Sequence, residues 1–244
     1  MRKTVCIYVG ANVGLSVSNL APHFDELHIF EPDPEIFANL LKNLKSFTNI
    51  FFNNVACSHS KGTEKLYIYE NRVSTSLGQA NTDFYPNLGK PIKSILIETI
   101  NLLDYILDKK LEKIDLLVTD AQGADLSILN TLKPLIINSK INQIMSETHG
   151  HVEPQYKEFN NEFKGFENLL KKNYHLQSFS LDGNPVIEIP ETAPEFDTMW
   201  ILKTINLDQM STNNDLSFFL APNYEKKELA ICKNYSFWEK HNQK

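Results

Sequence analysis

Where the first apolar run of the chain ends stands Val9-Gly10-Ala11-Asn12-Val13-Gly14, and seventeen positions beyond Gly14 comes Glu31. Glycine accepts the backbone angles of a tight turn and lets a ligand approach the main chain. A helix N-terminus after such a turn adds free N–H groups and the positive end of a dipole. A carboxylate at the end of the next strand can accept hydrogen bonds from both hydroxyls of a ribose. Together the two features predict a nucleoside cofactor. The spacing is G-x-N-x-G, whereas a dinucleotide turn needs its second glycine to admit a pyrophosphate, so Asn12 disfavours a nicotinamide dinucleotide. Gly10 and Gly14 could also serve only the turn and helix packing, with Glu31 a solvated strand end. The register between them favours the cofactor.

A second set of residues could move protons. Asp120 follows the buried run Ile114-Asp115-Leu116-Leu117-Val118-Thr119, and Glu147-Thr148-His149-Gly150-His151 follows the run from Ile141 to Ser146. In an open parallel sheet, ligands bind beyond the C-terminal ends of the strands, which brings Tyr8, Glu31, Asp120 and Glu147 to one edge. His149 or Asp120 is the expected general base there, with Glu147 as a further candidate, because a base must lie within reach of its proton and histidine titrates near working pH. Asp120 could instead cap the helix opened by Gly123 to Asp125, and His149 and His151 could be loop residues without a chemical task. Asp120, Glu147 and His149 could also bind a divalent cation through oxygen and imidazole ligands. No metal is assigned.

The residues that carry the cofactor signal also carry a resemblance. Val9-Gly10-Ala11-Asn12-Val13-Gly14, Phe30-Glu31-Pro32-Asp33-Pro34, Asn54-Val55-Ala56-Cys57-Ser58, Ser74-Thr75-Ser76-Leu77, Thr99-Ile100-Asn101-Leu102-Leu103-Asp104 and Ile114 to Asp125 follow one another as in the FkbM-type O-methyltransferases. The match runs over about residues 5 to 150. The resemblance implies a Rossmann-like class I methyltransferase fold: a seven-stranded, mostly parallel sheet with an antiparallel closing strand and helices on both faces. It also implies S-adenosylmethionine as cofactor. Gly10, Asn12 and Gly14 would surround its methionine part, Glu31 its ribose, and Asn54, Val55 and Ala56 its adenine, with Tyr8, Ala11, Pro32 and Asp120 also expected at the cofactor. The family usually has an aspartate where this chain has Tyr8, and a lysine and a glutamate where it has Thr119 and Gln122. The reaction implied is methyl transfer to a hydroxyl, of a sugar in a glycan or glycosylated metabolite.

The elements that must hold these residues are legible in the periodicity. Short β-branched runs alternate with segments of helical period, the pattern of an α/β fold with a mostly parallel sheet. Strands are expected over 4–10, 26–31, 49–56, 65–69, 94–99, 114–119, 141–146, 175–180 and 198–202, the last two as an antiparallel pair. Helices are expected over 12–21, 101–111, 124–133 and 158–172. A further helix after Pro34 carries Ile36, Leu40, Leu41 and Leu44 as one stripe. The polar stretch 70–91 is long enough to suspect a functional loop. Residues 1–204 read as one domain and 205–244 as a C-terminal extension, whose Phe218, Phe219, Tyr235 and Trp238 are expected to pack on it. The 70–91 loop, the Tyr156 region and those aromatics are the expected acceptor cleft, although each aromatic could simply be packing.

Bulk properties set the limits. With 24 Lys and Arg against 30 Asp and Glu, a net charge of -6 and no basic block, a nucleic-acid partner is not expected. The Asp120-Ala121-Gln122-Gly123 turn also lacks the Asn/Asp-Pro-Pro-aromatic pattern of amino-directed DNA methyltransferases. Cys6, Cys57 and Cys232 lie far apart, fitting neither a disulfide framework nor a zinc site, and point to a reducing, cytoplasmic setting. No secretory segment and no membrane span is expected. A small-molecule or glycan acceptor is expected, and no oligomeric state is assigned. Two rival readings stay open: an NAD-dependent oxidoreductase, and a degenerate methyltransferase domain serving as a binding or scaffolding module.

Overall fold

A computed structural model of the protein describes residues 2–181, 184–186 and 188–205. The expected extension from 205 onward, with Phe218, Phe219, Cys232, Tyr235 and Trp238, therefore lies outside the described residues except for Ile205. In chain order the elements are β1 (Val5–Val9), α1 (Leu15–Leu20), a 3-10 turn (Ala21–His23), β2 (Glu26–Phe30), α2 (Pro34–Asn43), β3 (Ile50–Asn53), β4 (Ala56–Ser58) and β5 (Gly62–Ile68). A second 3-10 turn (Pro86–Leu88) leads to β6 (Lys93–Asn101), α3 (Leu102–Asp108), β7 (Ile114–Thr119), α4 (Asp125–Thr131) and α5 (Lys133–Ile137). The described chain closes with β8 (Ile141–Thr148), α6 (Phe163–Leu170), β9 (Tyr174–Leu181), β10 (Asn184–Val186) and β11 (Phe196–Leu202).

The main sheet has the order β3-β2-β1-β7-β8-β11-β9-β10. Pairings from β3 through β8 are parallel, and β11 runs antiparallel to both β8 and β9. This is the expected seven-stranded class I methyltransferase arrangement, to which the three-residue β10 adds an eighth strand on the edge. β4, β6 and β5 form a separate three-stranded sheet, so the run expected as one strand over 49–56 is divided between two sheets.

Alternation along β1 sorts the core. Ile7 and Val9 face a cluster built with α3, α4, α5 and α6, while Cys6 and Tyr8 face one built with α1 and α2. β7 is buried along its whole length, as a strand covered by helices on both faces must be.

Helix α2 starts where the sequence says it must. Pro34 stands at its first position and the Asp33 carboxylate accepts the N–H groups of Glu35 and Ile36, a cap worth about 1 kcal/mol. Its apolar face is Ile36, Leu40 and Leu44, spaced four apart; Leu41 is turned away and 41% exposed.

Helix α6 is shorter than the periodicity over 158–172 suggested. The Asn160 side chain takes the N–H of Glu162, and Asn161 bonds Asp125 and Leu126, which holds this stretch as a loop.

Candidate cofactor-binding cleft and active site

The glycine turn is tied to both neighbouring strands. The N–H groups of Gly10 and Ala11 both donate to the Phe30 carbonyl at 3.0 Å, and the Asp120 N–H donates to the Val9 carbonyl at 3.0 Å. Gly10 has φ 83°, and a β-carbon there would stand 1.8 Å from the Asp120 carbonyl oxygen. Only glycine fits. At Gly14, with φ 86°, a β-carbon would come within 2.6 Å of Leu40 and 2.8 Å of Leu44, so this glycine lets α1 approach α2. Asn12, with φ 47°, accepts its neighbour Val13's N–H on its own side chain at 2.7 Å, the local bond that makes asparagine tolerable in the left-handed region.

Beyond the C-terminal ends of β1, β2, β7 and β8 lies one open cleft. Tyr8, Gly10, Ala11, Asn12, Gly14, Glu31, Pro32, Val55, Ala56, Asp120 and Glu147 all line it. Asn54 does not; its side-chain amide donates to the carbonyls of Glu31 (2.8 Å) and Pro32 (3.3 Å) and so fixes the backbone that presents Glu31. His149 does not line it either. Its Nδ1 lies 2.7 Å from the Gly150 carbonyl, its Nε2 is buried among the described residues without a partner, and its neighbours are those of a small separate cavity with Tyr156, Phe159 and Asn161. Burial lowers the pKa of its imidazole, which keeps the ring neutral. His151 is exposed and pairs with Glu162 at 2.8 Å.

Glu31 is 6% exposed. Its two oxygens accept the N–H of Asn12 at 2.9 Å and of Asp33 at 2.8 Å, yet burial outweighs these bonds and pushes its carboxyl up to about 8. Glu147 is pushed well above the usual carboxylate range, first by burial and then by the charges of Glu195, Asp120, Asp125 and Asp197. Asp125, the fully buried first residue of α4, is raised to about 6 by burial, against the bonds it accepts from Ala121 and Asn161. The N-terminal cap of α4 is Ala124, without a side-chain bond, so Asp120 does not cap this helix.

Gln122 joins the acidic groups. Its side-chain amide donates to Asp120 Oδ1 at 3.1 Å and to Glu147 Oε2 at 2.9 Å, and its Oε1 lies 2.9 Å from the Tyr156 hydroxyl. That hydroxyl is also 3.1 Å from the Ser74 carbonyl. Tyr156 is 2% exposed and does not line the cleft, so it supports the site from behind. Thr119, the other residue that departs from the usual pattern, shares a buried hydrogen bond of 2.6 Å with Ser146.

The long polar loop covers one side of the cleft through Arg72, Val73, Thr75, Ser76 and Leu77. Arg72 pairs with Asp33 and Glu35, and Ser76 Oγ donates to the Gln122 carbonyl at 2.7 Å, which ties the loop to the start of α2 and to the turn after β7.

Sequence reasoning missed Arg72, Ser180, Glu195 and Asp197, which also line the cleft. A signal for the last two was present. Because β11 is antiparallel, its first residues must reach the edge where the parallel strands end, and Glu195-Phe196-Asp197 stand there.

Among the described residues no helix is long and apolar enough to cross a membrane, and Cys6 and Cys57 are buried free thiols.

No curated protein matches the sequence. Among solved structures, the N-methyltransferase NodS of Bradyrhizobium japonicum WM9 is similar at 9% identity and a TM-score of 0.45, covering 82% of this chain and 86% of that one. The fibrillarin pre-rRNA processing protein of Methanococcus jannaschii is similar at 17% identity and a TM-score of 0.43, covering 83% of this chain and 67% of that one. The assignment rests on the sequence family: the model described as the methyltransferase FkbM domain matches residues 9–176, more than half of the chain. The protein belongs to the FkbM methyltransferase family.

Proposed function

We propose that this protein is an S-adenosylmethionine-dependent O-methyltransferase whose acceptor is a hydroxyl of a sugar in a glycan or glycosylated metabolite. The observation that supports the cofactor is the predominance of acidic over basic side chains in the cleft. Glu31, Asp120, Glu147, Glu195 and Asp197 line it, and among the lining residues Arg72 is the one Lys or Arg. Arg72 is itself paired with Asp33 and Glu35. Such a cleft suits a ligand bearing sulfonium and ammonium charges and repels a pyrophosphate, which argues against the dinucleotide reading. When bound, the cofactor supplies an electrophilic methyl group.

The chain's own residues supply the rest. Glu31 offers its carboxylate to the ribose hydroxyls, with the apolar surface of Phe30, Val55 and Ala56 beside it for the base. Asp120 and Glu147 stand at adjacent strand ends, held by Gln122, within the space where an acceptor oxygen must be positioned. Asp120 is our choice of general base: burial and the neighbouring carboxylates push the Glu147 carboxyl well above the usual range, and His149 is outside the cleft. Asp120 would take the acceptor hydroxyl's proton while the oxygen displaced the methyl group from the cofactor's sulfonium, whose sulfur would leave as a neutral thioether. The low density of cations makes a nucleic-acid acceptor unfavourable.

The test is transfer of labelled methyl from S-adenosylmethionine to a panel of monosaccharides and glycosides, with the product's methyl position located by NMR. Methyl on oxygen supports the reading. Methyl on nitrogen, or cofactor binding with no transfer to any acceptor, contradicts it, the second result favouring a binding module.

A further inference from the structure

The cleft does not end at the residues expected to meet the cofactor. Beyond Asp120 it continues past Glu147 on β8 to Glu195 and Asp197 at the start of β11 and Ser180 on β9. Neighbouring strands lie about 4.8 Å apart, so Asp197 is roughly 10 Å along the sheet from the strand of Asp120. Asp197 stands directly opposite Glu147 on one side and Ser180 on the other. Like charges directly opposite one another destabilise a sheet. Here Glu195 adds a third carboxylate beside them.

A second observation is independent of the charges. Ser180 is 6% exposed, lines the cleft, and its hydroxyl has no hydrogen-bond partner among the described residues. A buried hydroxyl left this way is costly unless a ligand completes it. Among the described residues no three acidic, imidazole or thiol groups converge closely enough to hold a metal ion.

We propose that Glu147, Asp197, Glu195 and Ser180 form a subsite for a protonated amino group of the acceptor, so that the preferred substrate is an aminated sugar methylated on a hydroxyl. An ammonium has three donors and no acceptor, and charge-assisted bonds to carboxylates are the strongest it can make. Its positive charge offsets the neighbouring carboxylates, which add to burial in raising the Glu147 carboxyl. This inference rests on the methyltransferase reading of the cleft.

The test is calorimetric titration of the full chain, saturated with S-adenosylhomocysteine, with glucosamine, glucose and N-acetylglucosamine below the pKa of the amine. Glucosamine is expected to bind about tenfold tighter or more than either neutral sugar. Asp197→Asn and Glu195→Gln are each expected to remove most of that preference, with unchanged circular dichroism as the check on folding. Glucosamine binding no tighter than glucose, including no binding of any of the three, overturns the proposal. Mg²⁺ binding that Asp197→Asn abolishes also overturns it, by giving the carboxylates to a metal. Failure of the wild-type chain to bind S-adenosylhomocysteine at the outset instead counts against the cofactor reading.

Discussion

The carboxylate of Glu31 accepts the backbone N–H of Asn12 at 2.9 Å, joining the end of β2 to the glycine turn after β1. Its other oxygen accepts the N–H of Asp33 at 2.8 Å. Both bonds come from the main chain, so the carboxylate is fixed without help from any mobile side chain, and it still lines the cleft. Removing it as Glu31→Ala is predicted to weaken S-adenosylhomocysteine binding by about 10- to 100-fold, the value of one or two charge-assisted hydrogen bonds. Calorimetry measures this, and unchanged affinity would mean that the ribose lies elsewhere.

The raised Glu31 carboxyl also makes a pH prediction. Its folded pKa of about 8 lies above the ordinary 4.5, so the folded state binds the extra proton. The associated stability is full below the unfolded pKa and is lost as pH rises through 8. His28 and His149, whose burial lowers their pKa values, act in the opposite sense but only below their ordinary 6.5. Between pH 6.5 and 8 the ligand-free protein should therefore lose on the order of 1–2 kcal/mol through Glu31. Thermal melts across this window check it: the slope should flatten in Glu31→Ala, and a slope identical in the two proteins would contradict it.

Gly10→Ala is predicted to destabilise the protein by more than about 3 kcal/mol. The new β-carbon would sit 1.8 Å from a backbone oxygen, at a φ of +83° that alanine rarely adopts. Neither the β1 nor the β7 end can give way without moving Asp120. Denaturant unfolding measures the loss, and a change under about 0.5 kcal/mol would show that the turn is not packed as described.

Gln122→Ala is predicted to cost about 1–3 kcal/mol, because Glu147 and Asp120 lose a shared donor. With the amide gone, Glu147 should hold its proton still more tightly. Turnover is expected to fall while the affinity for S-adenosylhomocysteine changes by less than about threefold, a split that separates acceptor-side positioning from cofactor binding. Equal losses in both would place Gln122 against the cofactor instead.

Much of the fold was legible because its cues are local. The β7 boundaries at 114 and 119 follow from a short run, Ile114-Asp115-Leu116-Leu117-Val118-Thr119, dominated by branched apolar residues, and the α2 start from Asp33-Pro34. The glycine turn and Glu31 were legible because their spacing is fixed by one strand and one helix. What escaped depends on contacts distant in sequence. His149 looked placed for catalysis because β8 was expected to end at Ser146; the strand runs on to Thr148, and the imidazole is buried outside the cleft. Gln122 was noted as a departure, but its link to Tyr156 spans a separation no local pattern encodes. Splitting of 49–56 between two sheets depends on β6 pairing with β4, more than forty residues later.

The most direct test of the central claim is calorimetric titration of the purified protein with S-adenosylmethionine and S-adenosylhomocysteine, with NAD as the control. Binding of the first two in the micromolar range, and none of NAD, is the predicted result. Binding of NAD, or of none of the three, would contradict the assignment of this acidic cleft to S-adenosylmethionine.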